Sequence, residues 1–151
     1  MALDKKKRYI SERRVARKLA LIAIYQWQMT GNSYEEIYLG FLEDKGLSED
    51  IKKADMAFFQ SIVKYLMQNT EKVDATLKPF LDRKPQHLDQ IERAVLRLAT
   101  SELMQQPEIP TEVIVSESVN LAKKFGADQA HKFINGVLNK VCAKLKSADK
   151  A

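Results

Sequence analysis

Cysteine is nearly absent: Cys142 is the only one in the chain. That excludes an internal disulfide and a Cys-cluster metal site, and it fits a reducing, cytoplasmic setting. Glycine and proline are scarce, with 5 and 4 residues, too few for an all-β chain built from many turns. The two histidines, His87 and His131, lie in different segments with no Cys or carboxylate at ligand spacing. No apolar run reaches the roughly 18 residues of a membrane span. The apolar stretch 19–25 follows a basic start but leads into Gln26-Trp27-Gln28 with no small-residue cleavage site, so it is not read as a secretory signal. Asp4 and Glu12 argue against a mitochondrial presequence. HExxH, GxSxG, GxGxxG and GxxxxGK[ST] are all missing. Neither an enzyme nor a cofactor is expected.

What is present is charge, at 30%, and hydrophobic residues, at 45% of 151, the balance of a folded globular chain. The charge is uneven. Residues 1–18, "MALDKKKRYISERRVARK", hold eight Lys/Arg against Asp4 and Glu12, a local +6 that leaves −1 for the remainder of a chain whose net charge is +5. A cation cluster at one end is an electrostatic footprint for a polyanion, most often nucleic acid. The expected organisation is a basic arm over 1–10 and one all-helical domain over 11–147, with sub-bundles at roughly 11–82 and 87–147 and a seam in "DRKPQHL".

The apolar period is helical throughout. A first, buried helix is expected from a Ser11 N-cap to a Gly31 stop. A short helix with a Ser33-x-x-Glu36 capping box follows, stopped at Gly46. The third, "SEDIKKADMAFFQSIVKYLMQNT", carries Ile51, Met56 or Ala57, Phe59, Ile62, Val63 and Leu66 on one stripe. "EKVDATLKPFL" is expected to end before Pro79, which disfavours a helical Lys78. "LDQIERAVLRLATSELMQQ" places Ile91, Ala94, Val95, Leu98 and Leu103 on one side. A helix capped by Thr111 runs to Gly126, and the last spans 127 to about 146. The fold class is all-α, about seven helices in two packed bundles.

The remaining constellations are binding features. Arg13, Arg14, Arg17 and Lys18 fall in the first two turns of the expected first helix, where cations oppose the macrodipole. They read as a solvated helix start or, coupled to "KKKR" upstream, as phosphate contacts; in the second case their removal leaves stability unchanged or slightly raised. In "AKKFGADQAHKFINGVLNKV", helix-Gly-helix has the outline of a DNA-reading helix-turn-helix, but Lys132 occupies a position that motif buries. Lys132, Phe133 and Asn135 instead suit stacking on, and edge-reading of, unpaired bases. Ile134, Val137, Leu138 and Val141 form a core stripe with Phe133 at its edge. Gly136 is expected where two helices cross closely.

The segments "RRVARKLALIAIYQWQ", "IERAVLRLATSELM", "IPTEVIVSESVNLAKKFG" and "HKFINGVLNKV" together resemble the NusB family of bacterial transcription antitermination factors, in order and spacing over 8–146. The resemblance implies two helical bundles, binding of single-stranded boxA RNA from ribosomal RNA leaders, and a partner, the small-subunit ribosomal protein NusE, within an RNA polymerase antitermination complex. It places RNA contacts in the Arg-rich first helix and the HKFxNG helix, and puts Tyr25 and Glu92 on the ribosomal-protein face. Two departures stand out: Val15 interrupts the arginine cluster, and Gln129 stands where an acidic residue is usual. The NusB-like domain of ribosomal RNA cytosine methyltransferases is the neighbouring reading, and a protein-only helical adaptor the reading from another class.

Overall fold

The computed structural model describes residues 2–150 and contains no strand among them. Two compact units divide the chain, one up to Met67 and one from Gln68 onward. The seam expected at 82–88 is therefore displaced. The reason is visible in the second unit: Asp74 receives Nε and Nη2 of Arg97 at 3.0 and 2.8 Å. That pair ties the helix before the expected seam to the helix after it.

The first unit starts with α1, Ala2–Thr30. The expected arm is not separate, since residues 2–10 are its first turns, and Ser11 lies in mid-helix instead of capping it. The leading Lys and Arg are good helix formers, so nothing in "LDKKKRYISERR" breaks the backbone ladder. Gly31 ends α1 at φ +72°, where its N–H donates to Trp27 O at 2.8 Å. α2, Tyr34–Glu43, carries the expected capping box, with Ser33 and Glu36 exchanging two bonds of 3.2 Å. It stops at Asp44, two residues before the expected Gly46, whose N–H instead donates to Asp44 Oδ1.

The expected third helix is two: α3, Ser48–Lys53, and α4, Met56–Gln68. Ala54 turns extended at ψ 151°, and Asp55 accepts from Phe58 N at 3.0 Å, acting as a fresh N-terminal acceptor. Asp55 N in turn donates to Glu12 O of α1 at 3.0 Å. Phe58, Phe59, Ile62, Val63 and Leu66 are the buried stripe of α4, and Phe41 meets Phe59 with ring centroids 5.6 Å apart.

The second unit comprises α5, Thr70–Leu77, two short 3-10 turns at Lys78–Phe80 and Pro85–His87, then α6, Gln90–Gln105, α7, Thr111–Phe125, and α8, Ala130–Lys150. Lys78 keeps helical torsions despite Pro79, because the chain tightens into a 3-10 turn there instead of extending. Asp89 caps α6 through Ile91 N and Glu92 N. Pro110, not Thr111, precedes the first turn of α7. α6, α7 and α8 pack on one another. From Ala94 to Glu102 every residue of α6 is buried, more than the one-sided stripe expected. No helix among the described residues is long and apolar enough to cross a membrane.

Candidate nucleic-acid interface

Extending α1 back to Ala2 changes the meaning of its arginines. Arg13 to Lys18 now lie well past the first turn, and only Lys5, Lys6, Lys7 and Arg8 sit near the positive end of the dipole. Arg13 is held inside the first unit. Its guanidinium lies 4.5 Å from the Tyr9 ring centroid and 4.3 Å from that of Phe58, with Nε 3.6 Å from Asp55 Oδ2. Its Nε and Nη1 are buried without a hydrogen bond. Arg17 is 4% exposed and lies 5.1 Å from the same Phe58 ring. Lys18 is bonded to Asp50 Oδ2 at 3.0 Å. Of the four cations singled out by sequence, Arg14 alone is exposed. Arg14 falls seven residues after Lys7 on one helix face, and the exposed basic set of α1 is Lys5, Lys6, Lys7, Arg8 and Arg14.

The second unit carries the other group of candidates. Ile134, Val137, Leu138 and Val141 are buried as expected. Lys132 and Asn135 are exposed and Phe133 is half-buried. Gly136 overturns its expectation: it is exposed, and a Cβ added there would meet nothing within 4 Å. Among the described residues no helix crosses it within that reach, so Asn135-Gly136 is a patch of bare helix surface beside Lys132. The glycine that packing does require is Gly126. A Cβ there would lie 2.7 Å from Ala122 O, in the turn where Gly126 N donates back to the same carbonyl at 2.8 Å. Gln129, just before α8, sits at φ +68°, a left-handed conformation that side chains rarely adopt.

Sequence reasoning missed Arg83. Its guanidinium lies 4.5 Å from the Phe133 ring centroid, and its Nε donates to Asp82 Oδ1 at 2.9 Å. That hydrogen bond holds the Asp82 carboxyl below its ordinary value and raises the arginine. The available signal was an Arg-Lys pair inside a segment taken for a mere connection. Elsewhere, Tyr25 is 37% exposed, whereas Glu92 is 8% exposed near the start of α6. Burial pushes the Cys142 thiol up, away from the thiolate a nucleophile needs. Among the described residues no group of three or more His, Cys, Asp or Glu could hold a metal.

Helices alone, with cations and half-exposed rings gathered on the surface of each unit, define an all-α protein whose distinctive surfaces are basic and aromatic. The family model described as the NusB family matches residues 14–143. The chain belongs to the NusB family. The transcription antitermination protein NusB of Alteromonas mediterranea is 44% identical over 141 residues, covering 93% of this chain and 98% of that one. The same protein of Actinobacillus succinogenes is 43% identical over 145 residues, covering 96% and 98%. A chain in a crystal structure of antitermination factors NusB and NusE in complex with dsRNA superposes with a TM-score of 0.74 at 25% identity, covering 87% of this chain and 96% of that chain. T. maritima NusB gives a TM-score of 0.72 at 27% identity, covering 87% and 91%.

Proposed function

We propose that this chain is a non-catalytic transcription antitermination factor of the cytoplasm. It binds boxA RNA of ribosomal RNA leaders together with the ribosomal protein NusE and promotes read-through by RNA polymerase. The observation that carries the reading is the grouping of Lys132, half-buried Phe133, exposed Asn135 and bare Gly136 on one turn of α8. A cation, a ring, an amide and an unobstructed backbone are what an unpaired strand needs for phosphate contact, stacking and edge recognition. The exposed cations of α1, Lys5 to Arg8 with Arg14, supply further phosphate contacts that position the strand without reading it. Arg13, Arg17 and Lys18 act indirectly, by holding α1 within the first unit. In the first unit, Tyr25 is the contact offered to the ribosomal partner; in the second, Glu92 is buried, which leaves it little surface to offer.

The solved relative that holds dsRNA makes the form of the RNA the point to test. A labelled unpaired boxA RNA is titrated with the chain alone and with the chain plus the ribosomal protein, against duplex RNA of the same sequence. Weak binding alone, tightened by the partner and stronger for the unpaired strand, is expected. Preference for the duplex, or no effect of the partner, rejects the assignment.

A further inference from the structure

The segment from Phe80 to Arg83 runs alongside α8 in the opposite direction. Lys144 Nζ lies 5.8 Å from the Phe80 ring centroid, the charge of Lys140 reaches Asp82, and Arg83 lies over Phe133. On α8, residues 133, 140 and 144 are spaced by seven and four, so they share one face. Eleven residues at about 1.5 Å each make this strip roughly 16 Å long. Phe80 and Phe133 are half-buried, while Arg83, Lys140 and Lys144 are exposed. Asp82 is the one carboxylate among these residues, and Arg83 already engages it. An aromatic ring with a cation beside it stands at each end, and a further cation stands between them.

We propose that this strip, Arg83, Lys140, Lys144 and Phe80, is a second contact surface for unpaired RNA, on which a strand that has passed Phe133 continues along α8. The inference rests on the RNA-binding reading above and extends it to residues outside the HKFxNG turn. Alternating rings and cations are the pattern that binds single strands with little sequence preference, since every base has a π-face and every nucleotide a phosphate. The guanidinium of Arg83, held by Asp82 and backed by Phe133, offers a flat surface of the kind on which unstacked bases lie.

The test compares a boxA RNA with the same RNA extended by six uridines at either end, using wild type and the double variant Lys140→Ala/Lys144→Ala. Both lysines are exposed, and a thermal melt checks that the fold is intact. For wild type, one of the two extensions should tighten binding about fivefold or more and steepen the salt slope by roughly 1.4, two single-strand phosphate contacts. The double variant should lose that gain while binding the unextended RNA within about twofold of wild type. If neither extension helps wild type, or the double variant keeps the gain, the strip is not an RNA surface although the boxA reading stands. If wild type binds none of the RNAs, with or without the ribosomal protein, both readings fall. Tight, Lys140/Lys144-dependent binding of a polyglutamate peptide with no gain from either extension assigns the strip to an acidic protein and overturns the proposal.

Discussion

A methyl group at Gly126 would lie 2.7 Å from a backbone carbonyl, and the same group at Gly136 would meet open space. The two glycines of one motif thus respond oppositely to the same change. Gly126→Ala should cost about 1–3 kcal/mol through overpacking against backbone that cannot retreat. Gly136→Ala should stabilise by roughly 0.5–1 kcal/mol, the ordinary gain of replacing an exposed mid-helix glycine. Urea unfolding of both variants checks the pair, and destabilisation by Gly136→Ala would restore the close-crossing idea. Sequence could not separate them, because a glycine required by backbone approach and one left bare on the surface look alike in a helical pattern. Phe133 was better placed, since its position beside the 134-137-138-141 stripe fixes it at the edge of the core. Phe133→Ala should weaken RNA binding by about 1–3 kcal/mol with a stability loss below the 3–5 kcal/mol of a fully buried ring. What sequence could not show is that Arg83 already lies on that ring.

Among the elements, α1 departs most from its sequence reading. Ser11 is a good N-cap by residue type, yet Lys and Arg upstream are also good helix formers, and the helix runs through. With that shift Arg13 and Arg17 become anchors between α1 and α4, through Tyr9, Phe58 and Asp55. Arg13→Ala/Arg17→Ala should therefore lower stability by about 1–3 kcal/mol, reversing the unchanged or slightly raised stability expected of phosphate contacts. Alanine at Lys5, Lys6, Lys7 and Arg8 should leave the melting temperature unchanged and weaken all RNAs about equally. Differential scanning calorimetry beside an RNA titration separates the two sets. On α2, burial chiefly, with the charges of Tyr38 and Glu35, raises Tyr34 to about 12 from 10.0. A phenol raised in the folded state holds its proton more tightly there. Its contribution is complete below pH 10 and is lost as pH climbs toward 12. Tyr34→Phe should accordingly flatten the decline in stability between pH 10 and 12, as followed by thermal melts. A decline as steep as that of wild type would show that Tyr34 is not its source.

For the molecule as a whole, the helical period and the family-like segments were enough to make the chain all-α and to place helix ends at Gly31, Gly126 and the Ser33 capping box. The division into units was not legible. Pro85 and the charged run around it look like a linker, while the true division falls at the end of α4, where no glycine or proline marks it. The break at Ala54-Asp55 was hidden for a similar reason, since "KADMAF" keeps a helical pattern and only the bond from Phe58 N to Asp55 reveals a new start. In the function proposed above, RNA binding rests on the exposed cations of α1 and on the ring-and-cation surface of α8, so it should depend on phosphate charge. The most direct measurement is the affinity for unpaired boxA RNA, with the ribosomal partner present, across a range of salt concentrations. Four to six phosphate contacts at about 0.7 each give a log–log slope of roughly −3 to −4. A slope in that range, with weaker binding of duplex DNA, is the expected result; a flat response, or equal affinity for duplex DNA, would contradict the account.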